Sequence, residues 1–278
     1  VMASIRAGIV LVLFALWTLP LIPLQALAVR FNWRLAESLP HFYHKVVCRI
    51  LGVRVRNIGT VSRVRPTLFV LNHISWLDIP VISQGLPGSF VAKREVGDFP
   101  GFGTLARLQR SVFVERKRTA TAGHRDEMQQ RLDQGHSLIL FPEGTSNDGV
   151  RVLPFRSAFL AVAEKPVSGG PLTVQPVTIA YTKLDGLPLT RGWMNVVAWV
   201  GDEELPPHLW QLLKSGRLEA ELRFHQPVTI EEFGSRKALS SYCQTVIADG
   251  LTRALTGRPE PAPSFAAPAR GNGEPQHS

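Results

Sequence analysis

Apolar side chains in this chain fall into two rhythms. Short unbroken runs, such as Thr67-Leu68-Phe69-Val70-Leu71 and Ser137-Leu138-Ile139-Leu140-Phe141, alternate with stretches of helical period. Continuous runs of that length fit strands buried on both faces of a sheet. They predict strands near 52–57, 67–71, 89–93, 111–115, 137–141, 172–181, 194–200 and 218–226. The helical period predicts helices over 77–84, 100–108, 119–134, 155–165 and about 235–256, with Gly135 capping the third of them. Strands and helices in alternation define an α/β domain.

Both ends of the chain break this pattern. Residues 8–29 carry no charge and are almost wholly apolar. At about 1.5 Å per residue they could cross a hydrocarbon layer roughly 30 Å thick. Pro20 and Pro23 interrupt the run, so a kinked, tilted or re-entrant segment fits it as well as a straight span. Arg6 and Ala26-Leu27-Ala28 also allow a signal-peptide reading. The run is long for a signal core, and a retained anchor is the expectation. Across 37–51, Phe42, Val46, Val47 and Ile50 recur at helical spacing among Lys45 and Arg49. That segment suits either the membrane interface, where it and the basic Arg30 and Arg34 would meet anionic headgroups, or a helix covering the sheet. Residues 258–278 are rich in Pro, Ala and Gly without a period, as in a disordered tail. The expected organisation is therefore an anchor with an amphipathic helix over 1–51, an α/β domain over 52–257, and a tail over 258–278.

Composition adds two constraints. The 278 residues suffice for one catalytic domain with appendages, and the net charge of +9 calls for an acidic partner: nucleic acid, anionic lipid or an acidic carrier protein. No zinc-finger spacing or aromatic-basic motif supports nucleic acid, which is left out of the expected partners. Cys48 and Cys243 form no disulfide or metal pattern, and His41 with His44 lacks further ligands, so no metal is expected.

Candidate chemistry begins at Asn72-His73-Ile74-Ser75-Trp76-Leu77-Asp78. An imidazole can take a proton from an alcohol, and a carboxylate on its other nitrogen sets the tautomer. Residues five apart do not meet on a helix, so His73 and Asp78 can pair only if the backbone turns between them. A strand at 67–71 feeding a helix supplies such a turn. A satisfied loop histidine explains the pair equally well when it is taken alone. The strand at 137–141 is followed by Pro142-Glu143-Gly144-Thr145, which presents an acid and a hydroxyl at a strand end, where α/β sheets bind ligands.

These two blocks, in this order, resemble the glycerolipid acyltransferase family, which includes the bacterial 1-acylglycerol-3-phosphate and lysophospholipid acyltransferases. Ser111-Val112-Phe113-Val114-Glu115-Arg116 and Val174-Gln175-Pro176-Val177 are similar to two further blocks of that family. The resemblance spans roughly residues 65–182. It implies a mixed central sheet with helices on both faces, and a fatty acyl group moved from acyl carrier protein or coenzyme A to a lysolipid hydroxyl, with no other cofactor. It implies His73 as base and Asp78 as orienter, with Lys93, Arg116, Glu143, Gly144 and Thr145 binding the acceptor. Its expected setting is the bacterial inner membrane, with the catalytic domain on the cytoplasmic side among membrane lipids.

A guanidinium at Arg116 would grip a phosphate or carboxylate through paired hydrogen bonds, or merely form a surface ion pair. Glu143 would repel a phosphate and is expected on a hydroxyl, an amine or the arginine. Phosphatidic-acid-forming members often carry arginine after Glu-Gly-Thr, whereas this chain has Ser146 and reaches Arg151 and Arg156 only later. The forms around both blocks look most similar to bacterial lyso-ornithine lipid acyltransferases, whose acceptor has a zwitterionic headgroup without phosphate. A serine hydrolase is disfavoured, because no Gly-x-Ser-x-Gly elbow occurs. A non-catalytic lipid-binding protein of the same fold is the alternative. Phe155, Ala158, Phe159, Leu160 and Val162 read as core rather than as an acyl groove.

Overall fold

Successive side chains of a strand face opposite ways, and in Thr67–Leu71 both ways lead into core. Leu68 and Val70 belong to one buried cluster; Phe69 and Leu71 belong to another on the opposite side of the sheet. This arrangement is seen in a computed structural model that describes residues 1–99, 101–114, 121–167, 169–201 and 203–258. Each fully buried aliphatic side chain contributes about 2 kcal/mol to such a core.

The strands are β1 (Val53–Ile58), β2 (Thr67–Leu71), β3 (Ser89–Lys93), β4 (Val112–Val114), β5 (Leu138–Leu140), β6 (Thr173–Leu184), β7 (Leu187–Pro188) and β8 (Leu218–Phe224). Their order is β1-β8-β6-β2-β5-β3-β4, with β7 a short hairpin partner of β6. From β6 to β4 every pairing is parallel, whereas β8 runs antiparallel to β6 and carries β1 parallel to itself. The mixed sheet is thus as expected. The helices are α1 (Met2–Arg30), α2 (Leu35–Leu51), α3 (Asp78–Ser83), α4 (Phe102–Leu108), α5 (Thr121–Asp133), α6 (Leu205–Lys214) and α7 (Arg236–Thr256). Side chains of α2, α3 and α6 enter the Phe69 cluster, and those of α5 and α7 enter the Leu68 cluster, so helices cover both faces.

Three expectations need correction. Residues 194–200 form no strand: a 3-10 turn at Arg191–Val196 runs into an irregular segment in which Val196, Val197 and Ala198 are buried. A short apolar run cannot by period alone be told from a buried strand. Helix α6 was not expected, and its Pro206 and Pro207 fall in the first turn, where proline is tolerated. The segment expected as a helix over 155–165 is a 3-10 stretch at Ser157–Glu164, and its Leu160 and Val162 do pack in the core.

Helix α1 passes through Pro20 and Pro23 as one element. It is long and apolar enough to cross a membrane. Its buried residues Ala7, Val10, Thr18, Gln25 and Ala28 lie along one face at about 100° per residue, and the helix packs by that face on α2, α4 and α6. Polar contacts recur along its length. Arg6 donates to the carbonyls of Leu213, Ser215 and Gly216 at the end of α6, Trp17 and Thr18 reach Tyr43, and the Gln25 amide donates to the Ala36 and Leu108 carbonyls. Ile9, Val12, Leu16, Leu19 and Leu27 form an exposed apolar face on the far side. The expected tail lies outside the described residues after Arg258.

Candidate active site

Four parallel neighbours β2, β5, β3 and β4 end at the same pole of the sheet, and the sequence blocks sit where three of them end. His73 follows β2, Phe141 through Thr145 follow β5, and Lys93 is the last residue of β3, half-buried. Arg116, two positions past β4, lies outside the described residues.

Asn72 makes the transition out of β2. Its side-chain amide donates to the Ile179 carbonyl and its side-chain carbonyl accepts from the Ile179 amide, both at 2.9 Å, continuing the β2–β6 ladder with a side chain. The backbone is thereby released into the turn that the His73–Asp78 pairing requires. Asp78 opens α3 and is fully buried. Its Oδ2 accepts from His73 Nδ1 at 2.8 Å and from the backbone amides of Ile74 and Ser75 at 2.6 and 3.0 Å. Its Oδ1 accepts from the Tyr181 hydroxyl at 2.8 Å. Four donors compensate the carboxylate for its loss of water. Tyr181 is itself buried in β6, and burial, then the Asp78 charge, pushes its phenol well above the ordinary 10, so it remains a donor. The His73 ring keeps 21% of its surface exposed and stacks on Phe141, with centroids 4.2 Å apart.

Glu143 is placed differently from the expectation that it faces the acceptor. It is 2% exposed, and both of its oxygens are taken by protein donors. Oε1 accepts from the His73 amide at 2.9 Å and from Asn147 Nδ2 at 3.0 Å; Oε2 accepts from Asn147 Nδ2 at 2.8 Å and the Leu153 amide at 2.9 Å. Burial raises its pKa, an effect opposed by the hydrogen bonds from Asn147, His73 and Leu153. The Asn147 amide also donates to the His73 carbonyl at 2.8 Å. The two blocks are therefore stitched together through His73.

Gly144, at φ +70°, turns the chain away from β5, with the Arg156 guanidinium close beside it. Thr145 is exposed. Arg151 is 70% exposed and pairs with Asp148 at 3.2 Å. The 194–200 segment closes over the first block: the Trp199 amide donates to the Ile74 carbonyl at 3.0 Å, and the Ser146 hydroxyl donates to the Trp199 carbonyl. Gly149, at φ +73°, lies under Met194, where a Cβ would come within 2.8 Å of the thioether. The Trp76 indole donates to His208 Nδ1 at 3.0 Å, which leaves His208 Nε2–H for the Ala198 carbonyl at 3.2 Å. Among the described residues, no group of three or more His, Cys, Asp or Glu side chains is arranged to hold a metal ion.

Sequence reasoning did not single out Asn72, Asn147, Tyr181 or Trp199. Asn147, four residues after Glu143, was within reach of a local argument. Tyr181 was not, since only the sheet order brings β6 beside β2.

A buried carboxylate hydrogen-bonded to an imidazole at the carboxyl pole of an α/β sheet is an arrangement able to take a proton from an alcohol. The chain belongs to the acyltransferase family, whose model matches residues 52–180. Among its relatives, the lyso-ornithine lipid O-acyltransferase of Brucella abortus is 40% identical, over 93% of this chain and 98% of that protein. The enzyme of the same name from Rhizobium meliloti is 38% identical, over 95% and 94%. The crystal structure of the 1-acyl-sn-glycerophosphate acyltransferase PlsC from Thermotoga maritima superposes with a TM-score of 0.65 over 90% of this chain and 93% of that one, at 22% identity, and shares the fold.

Proposed function

We propose that the protein is a membrane-associated O-acyltransferase that esterifies the hydroxyl of a lysolipid, lyso-ornithine lipid in the first place, with a fatty acyl group from acyl carrier protein or coenzyme A. The observation that carries the reaction is the His73–Asp78 pair. With Nδ1–H committed to Asp78, Nε2 holds the lone pair and takes the acceptor's hydroxyl proton. The alkoxide oxygen attacks the thioester carbonyl carbon, the carbon–sulfur bond breaks, and the departing thiolate recovers the proton from the imidazolium. Asp78 steadies the imidazolium between these steps, and Tyr181 keeps Asp78 oriented. Glu143 and Asn147 act on His73 through its backbone as positioning residues. No enzyme nucleophile is needed, because the thioester is already activated.

Near-full-length similarity to two lyso-ornithine lipid enzymes supports the acceptor. The surface agrees with that reading. Ser146 stands where, by the family resemblance, phosphatidic-acid-forming members often carry arginine, and the Asp148–Arg151 pair offers one anion and one cation to a zwitterionic headgroup. Helix α1 and the first part of α2 would place this domain on the membrane. A helix that buries one face against the domain along its whole length, and exposes an apolar face opposite, suits a position in the interface plane better than a span surrounded by lipid. The inner membrane, cytoplasmic face, is the setting that supplies acyl donors. Lys93, Arg116, Gly144 and Thr145 remain the proposed acceptor contacts, and 1–51, 52–257 and 258–278 the proposed divisions of the chain.

The deciding assay gives the purified protein a labelled acyl donor with lyso-ornithine lipid and lysophosphatidic acid side by side. Preferential acylation of lyso-ornithine lipid, abolished in His73→Ala, is expected. Exclusive use of lysophosphatidic acid would overturn the acceptor, and full turnover in His73→Ala would overturn the base.

A further inference from the structure

The opposite pole of the sheet holds a second concave site. A cleft of about 750 Å³ opens where β2, β3 and β5 begin, walled by Arg65, by Pro87–Ser89 and by Gln134–Ser137 respectively. The first turns of α2 and the end of α4 complete it. A five-residue strand separates this cleft from His73, roughly 16 Å at about 3.3 Å per residue. It is therefore distinct from the reaction site.

Its charge is one-sided. Among the described residues, Arg34, Arg65 and Arg110 line it against one carboxylate, that of Glu37, with His41 and His136 beside them. Glu37 Oε1 meets both Arg110 at 3.3 Å and His136 Nε2 at 3.1 Å. Arg34 and Arg65 have no ion pair among the described residues. His136 Nδ1 is buried without a hydrogen-bond partner there. Arg131 of α5 adds a further positive charge nearby. Burial first, and then repulsion from Arg110, lowers its pKa, and attraction to Glu127 opposes them. Cations held together in a concave site at this cost are a receptor for an anion, and arginine forks match phosphate oxygens.

The surroundings say where that phosphate comes from. Arg34 follows directly on Phe31 and Trp33, which are 58% and 47% exposed and stacked at 5.8 Å, at the end of the apolar helix α1. Exposed aromatic residues of this kind sit at headgroup level. We propose that this cleft is a binding site for the phosphate of an anionic phospholipid headgroup, separate from the acceptor site, that seats the protein on negatively charged bilayers. The proposal rests on α1 lying in the membrane interface.

Vesicle flotation tests it with the full chain. Neutral phosphatidylcholine vesicles report α1 alone, and vesicles containing phosphatidylglycerol report α1 plus the cleft. Wild type is expected to bind both and to prefer the second. In the double variant Arg34→Gln/Arg65→Gln the preference should fall by about an order of magnitude, with binding to neutral vesicles intact. Lys237→Gln/Arg258→Gln, equal in charge loss but on α7 and just past its end, should keep it. Equal loss in both variants, or none in the first, would overturn the site. Failure to bind neutral vesicles would instead remove the α1 reading.

A second measurement needs no bilayer. Monomeric dihexanoyl phosphatidylglycerol should shift the His136 imidazole resonance saturably, and more tightly than inorganic phosphate. Equal or tighter binding of inorganic phosphate would assign the cleft to a free ion and overturn the lipid reading. So would loss of acyl carrier protein binding in Arg34→Gln/Arg65→Gln with lipid preference unchanged.

Discussion

Tyr181 and Glu143 act on the same imidazole from two directions, one through the Asp78 carboxylate and one through the His73 backbone. Tyr181→Phe removes one of four donors from a buried carboxylate, which costs about 1–3 kcal/mol of stability. Turnover should fall about tenfold with little change in acceptor KM, read from steady-state kinetics beside a thermal melt. Glu143→Gln sets an amide N–H against donors that the carboxylate now satisfies, with a similar cost. A positioning role predicts a lower kcat at constant KM for lysolipid. A raised KM at constant kcat would return Glu143 to headgroup binding. At this scale the pairing of His73 with Asp78 was legible from sequence, because a turn between them was the only geometry that served. The inward orientation of Glu143 was not, since its partners include the Leu153 amide, ten residues away and reached only after a turn.

Among the elements, the N-terminal hairpin holds a pH-sensitive joint. His44 of α2 lies between α1 and α4, with Nε2 at 3.1 Å from the Gln109 side chain. Burial lowers its pKa from 6.5 to about 4; the Gln109 hydrogen bond opposes this, and the nearby His41 adds to it. The folded state therefore favours neutral imidazole. That stability is complete above the unfolded value of 6.5 and is lost as pH falls towards about 4. The full effect is about 3 kcal/mol. Denaturant midpoints measured between pH 7 and pH 4 should decline, and His44→Gln should flatten the part of the decline that lies above about pH 4. Strand β2 has the bounds that its hydrophobic run predicts, because a strand buried at every position leaves continuous apolar text. The run 194–200 misled for the same reason: Met194, Val196, Val197 and Ala198 are buried, but beneath α6 and over the first block rather than in the sheet. Helix α6 escaped notice because its prolines look like a breaker unless they fall at a helix start.

For the whole molecule, the distribution of apolar surface predicts how the protein meets a bilayer. Leu16→Glu/Leu19→Glu places two charges on the exposed face of α1, far from the packed stripe of Ala7, Val10, Thr18, Gln25 and Ala28. Flotation with neutral vesicles should be lost while circular dichroism and melting temperature stay near wild type. The sequence carried the apolar length of this segment but not its one-sided packing, since the faces of α1 differ little in hydrophobicity and only contacts with α2, α4 and α6 distinguish them. Those contacts, from Arg6 to Gln25, bind α1 to the domain as a rigid base. On the proposed seating of α1 in the membrane interface, such a base would hold His73 at constant height above the lipid, and an acceptor would be drawn from a two-dimensional pool. Reaction velocity is then expected to follow the mole fraction of lysolipid in the surface. Adding inert lipid at fixed bulk concentration of acceptor should slow the enzyme, whereas diluting the whole suspension should not.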